Sequence, residues 1–297
     1  MDDDNTSADS EGNIRSALDG TDPIDGVKPR TIRGVPGFTT SDEGGALDLR
    51  DTLDGIARRG DTPGVGAVRT RSVVGPGDER TEVVAPLGRP NKAVCHLAVH
   101  MPNGKVLTGT GWFISDRTIA TAAHNIFNNG HGGAAQRIVV SAGRTRSSFL
   151  WRGEATGIGV PSAWRAGSTA LRHDYAAVHV PAGAGSSVGV YRMKTVDKPV
   201  FETGSWTLLG YPLSTRFASG AQVKSVGKII DTGQSGVAHL MDTEVGNSGG
   251  AIYGLDSAGR PVAVAIHRMG SSGYNIARRL TNSVRSQLRA WAANPDA

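Results

Sequence analysis

From about Glu82 onward, short runs rich in Val, Ile and Thr alternate apolar and polar positions and are cut by Gly, Asn, Asp and Pro. The runs lie at 93–100, 105–114, 118–122, 137–142, 154–160, 175–180, 205–211, 221–231, 236–241, 250–255 and 261–267. A period of two marks strands with one face buried, and many such strands between turn signals predict an antiparallel barrel or sandwich. Asn103-Gly104 predicts a hairpin turn between the first two runs. The glycine-rich stretch 128–136 predicts an exposed loop. Near the end the period changes. Val284, Leu288 and Trp291 recur at helical spacing, and Thr281 or Asn282 is placed to cap that helix.

The first 45 residues have neither period. They are polar, acidic and punctuated by Gly and Pro, a pattern that predicts disorder or a loosely attached segment. Residues 46–59 predict one short helix carrying Leu47, Leu49, Leu53 and Ile56, with aspartates toward its start, Arg58 and Arg59 at its end, and Gly60 beyond. Residues 62–77 then link it to the body.

Composition sharpens this picture. A chain of 297 residues with 38% apolar content has ample material for a packed core, and Gly 41 and Pro 14 favour many turns over a helical bundle. The formal charge of +5 is uneven, because residues 1–25 hold eight acids against Arg15 and leave a basic body. The basic residues are scattered, so no nucleic-acid groove is marked. Cys95, alone of its kind, makes no intrachain disulfide, and its alternating surroundings predict a buried, inert thiol. No run of 18 apolar residues offers a membrane span, and the acidic N-terminus is unlike a secretory signal.

Three residue types then suggest chemistry. Ser248 sits in DTEVGNSGGAIY, residues 242–253, on a turn whose glycines let backbone N–H groups point inward. His124 closes the segment ending TIATAAH, and Asp174 precedes the apolar run of LRHDYAAVHV. Taken singly these are also an ordinary turn serine, an edge histidine and a surface aspartate. Together they have a logic: His124 takes the Ser248 proton, while Asp174 fixes the imidazole tautomer and stabilises the imidazolium.

The chain order His, Asp, Ser on an all-β pattern excludes the order of α/β-hydrolases. With GTGWFISDRTIATAAH, HDYAAVHV, GYPL at 210–213, GNSGG and PVAVAIH at 261–267, the chain from about residue 72 resembles the chymotrypsin-fold serine proteases, and most closely the bacterial glutamyl endopeptidases. The resemblance covers roughly three quarters of the chain. It implies a double six-stranded antiparallel β-barrel with a C-terminal helix, the site lying between the barrels, and a serine endopeptidase acting through an acyl-enzyme. It also implies an oxyanion hole made by the N–H groups of Gly246 and Ser248, a placement the glycine-rich turn permits.

The same resemblance assigns an acid-binding P1 pocket to Thr243 and His267, where partial protonation of the imidazole would strengthen the contact. The run RTRSVVGPGDERTEV, residues 69–83, is similar to the mature start of bacillar members. It implies a cut at Arg71–Ser72, a propeptide over 1–71, a protease domain over 72–297, and a Ser72 α-amine that helps form the pocket. Activation then requires a protease of Arg specificity. The family implies secretion, polypeptide substrates and no cofactor; a monomer, with no nucleic-acid or membrane partner, is expected.

Two departures stand. Asp242, six residues before Ser248, holds the position of the specificity aspartate of trypsin-like enzymes, so it either faces the pocket and opposes acidic substrates or lies outside it. Asn125 follows His124 where many relatives have a cysteine bridged to one near Cys95, which leaves packing around Ile126 and Phe127 to hold the loop. The alternatives are the same machinery with a small, apolar or basic P1 preference, and a protease-like binding protein without turnover.

Overall fold

The computed structural model describes residues 71–295 apart from 75–76, 87 and 271–272. The short helix expected over 46–59 and the acidic leader lie outside the described residues. Two curled antiparallel sheets make up the body. The first has seven strands in the order Gly157–Gly159, Ala176–His179, Thr118–Thr121, Val106–Phe113, Val94–His100, Arg137–Ala142 and Trp151–Glu154. The second runs Ile229–Thr232, Gly236–His239, Asn275–Arg279, Pro261–Gly270, Ala251–Leu255, Trp206–Gly210, Val223–Gly227 and Thr81–Glu82, with Arg192–Met193 added parallel to Pro261–Gly270. These are the two barrel halves of the expected chymotrypsin-like fold.

Period-two alternation explains how the halves join. Cys95, Leu97, Val99, Phe113, Ile119, Ala176 and Val178 fill the first sheet's interior. Leu208, Ile252, Val262 and Val264 fill the second. Their sequence neighbours Val94, Trp112, Ala120, Ala177, Leu209, Ala251 and Ala263 point the other way, into a third cluster between the sheets. Successive side chains on a strand face opposite sides, so one set of strands serves both a barrel core and the seam. Cys95 is fully buried in the first core, where burial pushes its thiol well up, as an inert thiol requires.

The helix Asn282–Ala293 begins where its cap was expected, with Thr281 Oγ1 accepting from Val284 N. Its buried Val284 and Leu288 complete the seam, and Trp291 lies so close over Gly159 that a Cβ there would sit 2.6 Å from the indole. The last helix of the chain thus closes over a strand of the first sheet.

Several expected runs prove divided. The 221–231 run divides at Lys228 into Val223–Gly227 and Ile229–Thr232, and Gly227 at the break lies tightly against the Leu240–Met241 backbone. The 154–160 run contributes only Gly157–Gly159, Glu154 belonging to a preceding strand. Asn275–Arg279 was not expected as a strand. Its arginines are accommodated by carbonyls: Arg278 Nε donates to Arg172 O at 3.0 Å and Arg279 Nη2 to Val196 O at 2.7 Å. The loop 128–136 carries one 3-10 turn, Asn129–His131, and a two-residue hairpin.

Candidate active site

Strand pairing creates the first half of the site. Thr118–Thr121 lies beside Ala176–His179 with Ala176 opposite Thr121. His124 stands on the single helical turn Ala123–Ile126 just after the first of these strands, and Asp174 ends the turn that leads into the second. Both therefore emerge at the same sheet end. His124 Nδ1 lies 2.8 Å from Asp174 Oδ2, and the His124 backbone N–H donates to Oδ1 at 3.1 Å. This grip makes Nδ1 the protonated nitrogen and leaves the Nε2 lone pair free to accept a proton.

Asp174 is fully buried. Burial alone would push its carboxyl up, but the charge and hydrogen bond of His124 and the cation of Arg268 outweigh it and hold the group at about 2. Arg268 was not anticipated in the sequence. Its Nε lies 2.9 Å from Asp174 Oδ2, and its Nη2 donates to Thr169 O at 2.6 Å. An arginine of the second sheet thereby holds the aspartate loop of the first.

Ser248 occupies the turn after Thr243–Glu244. Gly246 has φ +101° and Gly249 φ +89°, and a Cβ on either would meet a backbone oxygen within 2.3 Å. Glycine is therefore required at both positions. The turn is tied down by the N–H of Gly249 to His267 O, the N–H of Asn247 to Glu244 O, and the N–H of Gly250 to Asn247 O. Among the described residues the N–H groups of Gly246 and Ser248, by contrast, have no acceptor. Two unspent donors flank the serine. Its own hydroxyl donates to Arg268 O at 2.9 Å, so a rotation about χ1 is needed to bring it to His124.

The first sheet also grips this turn. Thr110, fully buried, donates from its hydroxyl to Gly246 O and from its N–H to Ser248 O. Asn125 Nδ2 donates to the same Ser248 carbonyl at 2.8 Å and to Thr121 Oγ1 at 3.0 Å. Ile126 is fully buried and Phe127 partly so, as expected, but packing is not the whole attachment. The residue that replaces the relatives' cysteine joins the histidine turn to the serine turn by hydrogen bonds.

Thr243 and His267 are both buried beside this turn. His267 Nδ1 meets His239 Nε2 at 3.1 Å, the rings edge to face. Burial, with the nearby His124, lowers His267 to about 3, and burial drives His239 well below the ordinary range. Burial thus favours the neutral form of His267 and works against the partial protonation expected to strengthen a carboxylate contact. When His239 Nε2 donates, His267 carries its proton on Nε2 and offers an N–H there. In that tautomer the buried Nδ1 of His239, which has no partner among the described residues, is a bare acceptor.

Asp242 is buried and engaged by backbone donors. Its Oδ1 accepts the N–H of Val74 at 2.7 Å and its Oδ2 that of Glu79 at 2.9 Å. The carboxylate holds the incoming chain. The same segment is fixed by pairing of Arg71 with Glu244 and of Ser72 with Thr243, and by Arg80, which is buried and bonded to Asp78 and Glu244. Ser72 accordingly lies opposite the threonine expected to line the pocket.

The chain is 30% identical over 229 residues to the glutamyl endopeptidase of Bacillus licheniformis, spanning 74% of this chain and 69% of that protein. It is 29% identical over 224 residues to the extracellular metalloprotease of Bacillus subtilis, spanning 74% and 70%. A solved Glu endopeptidase structure superposes with a TM-score of 0.64 at 23% identity, covering 74% of this chain and 99% of that one, a likeness of fold. No family model matches. The second relative's name raises a metal, but among the described residues no group of three or more His, Cys, Asp or Glu is placed to hold one. The Asp174 carboxylate is engaged by an arginine, which is a poor neighbour for a cation.

Proposed function

The chain belongs to the glutamyl endopeptidase family of proteases, and from that premise we propose that it is a secreted serine endopeptidase that cleaves after glutamate. The observation that carries the proposal is the convergence of a histidine–carboxylate pair, a serine on a turn that only glycine can form, and two N–H groups without acceptors among the described residues beside that serine. These are the parts of acyl transfer.

In the proposed cycle the Ser248 hydroxyl leaves the Arg268 carbonyl, turns to His124 Nε2 and attacks the scissile carbonyl as the imidazole takes its proton. Asp174, held as a carboxylate, orients the ring and stabilises its cationic form. The oxyanion is met by the N–H groups of Gly246 and Ser248, a class of donor worth about 3 kcal/mol each in the transition state. The imidazolium then protonates the leaving amine, and water hydrolyses the acyl-enzyme by the same route reversed.

The P1 pocket follows from charge. A neutral His267 supplies a hydrogen bond but no charge, and Thr243 supplies a hydroxyl. Arg80 is fully buried and already paired with two carboxylates, so it brings no free cation. A cut at Arg71–Ser72 would convert a neutral peptide N–H opposite Thr243 into a charged amine. The register of Ser72 with Thr243 supports this reading, as does Asp242, whose hydrogen bonds to Val74 and Glu79 keep it off the substrate and hold the new terminus close. Residues 1–71 are then a propeptide, 72–297 the protease, and maturation needs a protease of Arg specificity.

A serine-directed fluorophosphonate tests the mechanism. Protein cut at Arg71–Ser72 is expected to gain one phosphonyl adduct, located on Ser248 by peptide mass mapping and absent from Ser248→Ala. An unmodified Ser248 would refute the serine mechanism.

A further inference from the structure

Arg268 carries more chemistry than its contact with Asp174 uses. Its side chain is 21% exposed and lines the cleft together with His124, Asp174 and Met269. Nε faces Asp174, and Nη2 donates to Thr169 O. Among the described residues Nη1 has no partner. A planar guanidinium fixed at two points on a partly exposed side chain, with donor N–H groups still unused, is a preformed receptor for a carboxylate.

The strand that bears it dictates which carboxylate. Pro261–Gly270 pairs with Asn275–Arg279 as far as Gly270, but with Ala251–Leu255 only up to Ile266. Among the described residues one edge therefore has no strand partner from Arg268 onward, and it is the edge to which Ser248 Oγ donates. An extended substrate adding to this edge presents its side chains alternately to the two faces. A bulge at Arg268 interrupts the pairing with Asn275–Arg279, and the two neighbours part there: His267 meets His239, whereas Arg268 turns to Asp174 beside His124. A substrate whose P1 side chain enters the His267 and Thr243 pocket turns the preceding side chain toward Arg268 and His124.

We propose that Arg268 is a specificity-determining residue that selects an acidic side chain at the position immediately before P1. This rests on the serine endopeptidase reading of the same site. The acceptor would be the substrate's Glu or Asp carboxylate, bound by the free guanidinium N–H groups while Nε and Nη2 keep their present partners.

Two peptides with Glu at P1, differing only by Glu or Gln in the preceding position, test it with protein cut at Arg71–Ser72. A charge-assisted hydrogen bond in a partly exposed cleft predicts about tenfold higher kcat/KM for the acidic peptide. Arg268→Gln should bring that ratio close to one, and Arg268→Lys should restore part of it. A general loss of activity from disturbing Asp174 would lower both peptides alike and leave the ratio intact, so the ratio separates recognition from positioning. Calorimetric binding of the same peptides to cut Ser248→Ala protein reads the preference without turnover. A ratio near one in the unsubstituted protein, or a preference that survives Arg268→Gln, overturns the proposal. Acid-selective, Arg268-dependent binding without Ser248-dependent hydrolysis would sustain it while refuting the serine endopeptidase reading.

Discussion

Replacing Asn125 with alanine removes a buried amide that joins the histidine turn to the serine turn. Asn125 is 5% exposed, and the change removes its two amide hydrogen bonds, to Ser248 O and to Thr121 Oγ1. Neither partner is stranded, because Ser248 O still accepts the Thr110 N–H and Thr121 Oγ1 still donates to Thr110 O. The lost bonds therefore amount to about 1 kcal/mol each. The amide also fills space over Gly109 and Gly249, where an added Cβ would come within 2.8 Å of it. With the void this leaves, the total is about 2–3 kcal/mol. For a body of this size that corresponds to a fall in Tm of roughly 5–10 °C. Thermal unfolding followed by circular dichroism, in a Ser248→Ala background to prevent self-digestion, reads it directly. Asn125→Asp should be worse than alanine, since it sets a carboxylate oxygen against the Ser248 carbonyl. A Tm within about 1 °C of the parent for Asn125→Ala would refute the idea that this amide does the joining here.

Other consequences are equally specific. Gly246→Ala forces a Cβ to 2.3 Å from Tyr211 O at φ +101°, so kcat should fall about 10²-fold or more as the N–H turns away, measured by steady-state kinetics. Burial lowers His96 to about 4 and His267 to about 3, with His239 lower than the ordinary range as well. The unfolded chain binds these protons first, so stability should decline as pH falls from about 6.5 toward 4, and the urea midpoint should be lower at pH 4.5 than at pH 7. Asp174 adds the opposite class of group to the same trend: its stabilising charge is present above the unfolded carboxylate range and is lost only as pH falls toward about 2. Asp242→Ala frees the Val74 and Glu79 N–H groups, so cleavage after glutamate should weaken; a gain would show that Asp242 repels substrate.

Much of this was legible in the sequence because it depends on local pattern. Alternation along 93–100 and 118–122 fixes which side chains fill a barrel and which fill the seam. The order of His124, Asp174 and Ser248, each at the end of a run or in a glycine turn, is likewise a property of the string. What escaped depends on partners far away in the chain. Arg268 reads as a solvent-facing charge beside a strand end, and only folding brings Asp174 to it. Asn125 looks like a lost cysteine until the Ser248 carbonyl arrives opposite its amide. Asn275–Arg279 reads as too polar for an inner strand because the carbonyls that absorb its arginines come from residues 172, 196, 233 and 235. Asp242 was undecidable locally, since its acceptor role is defined by N–H groups more than 160 residues earlier.

The central claim, a serine endopeptidase whose acid-binding pocket is completed by the Ser72 amine, meets its most direct test in a matched peptide panel. The peptides carry Glu, Asp, Arg, Lys, Phe or Ala at P1 and are offered to full-length protein, to protein cut at Arg71–Ser72, and to Ser248→Ala. The account predicts turnover by the cut form alone, dependent on Ser248 and strongest for glutamate. Efficient cleavage after Arg or Phe, equal activity before and after the cut, or turnover that survives Ser248→Ala would contradict it.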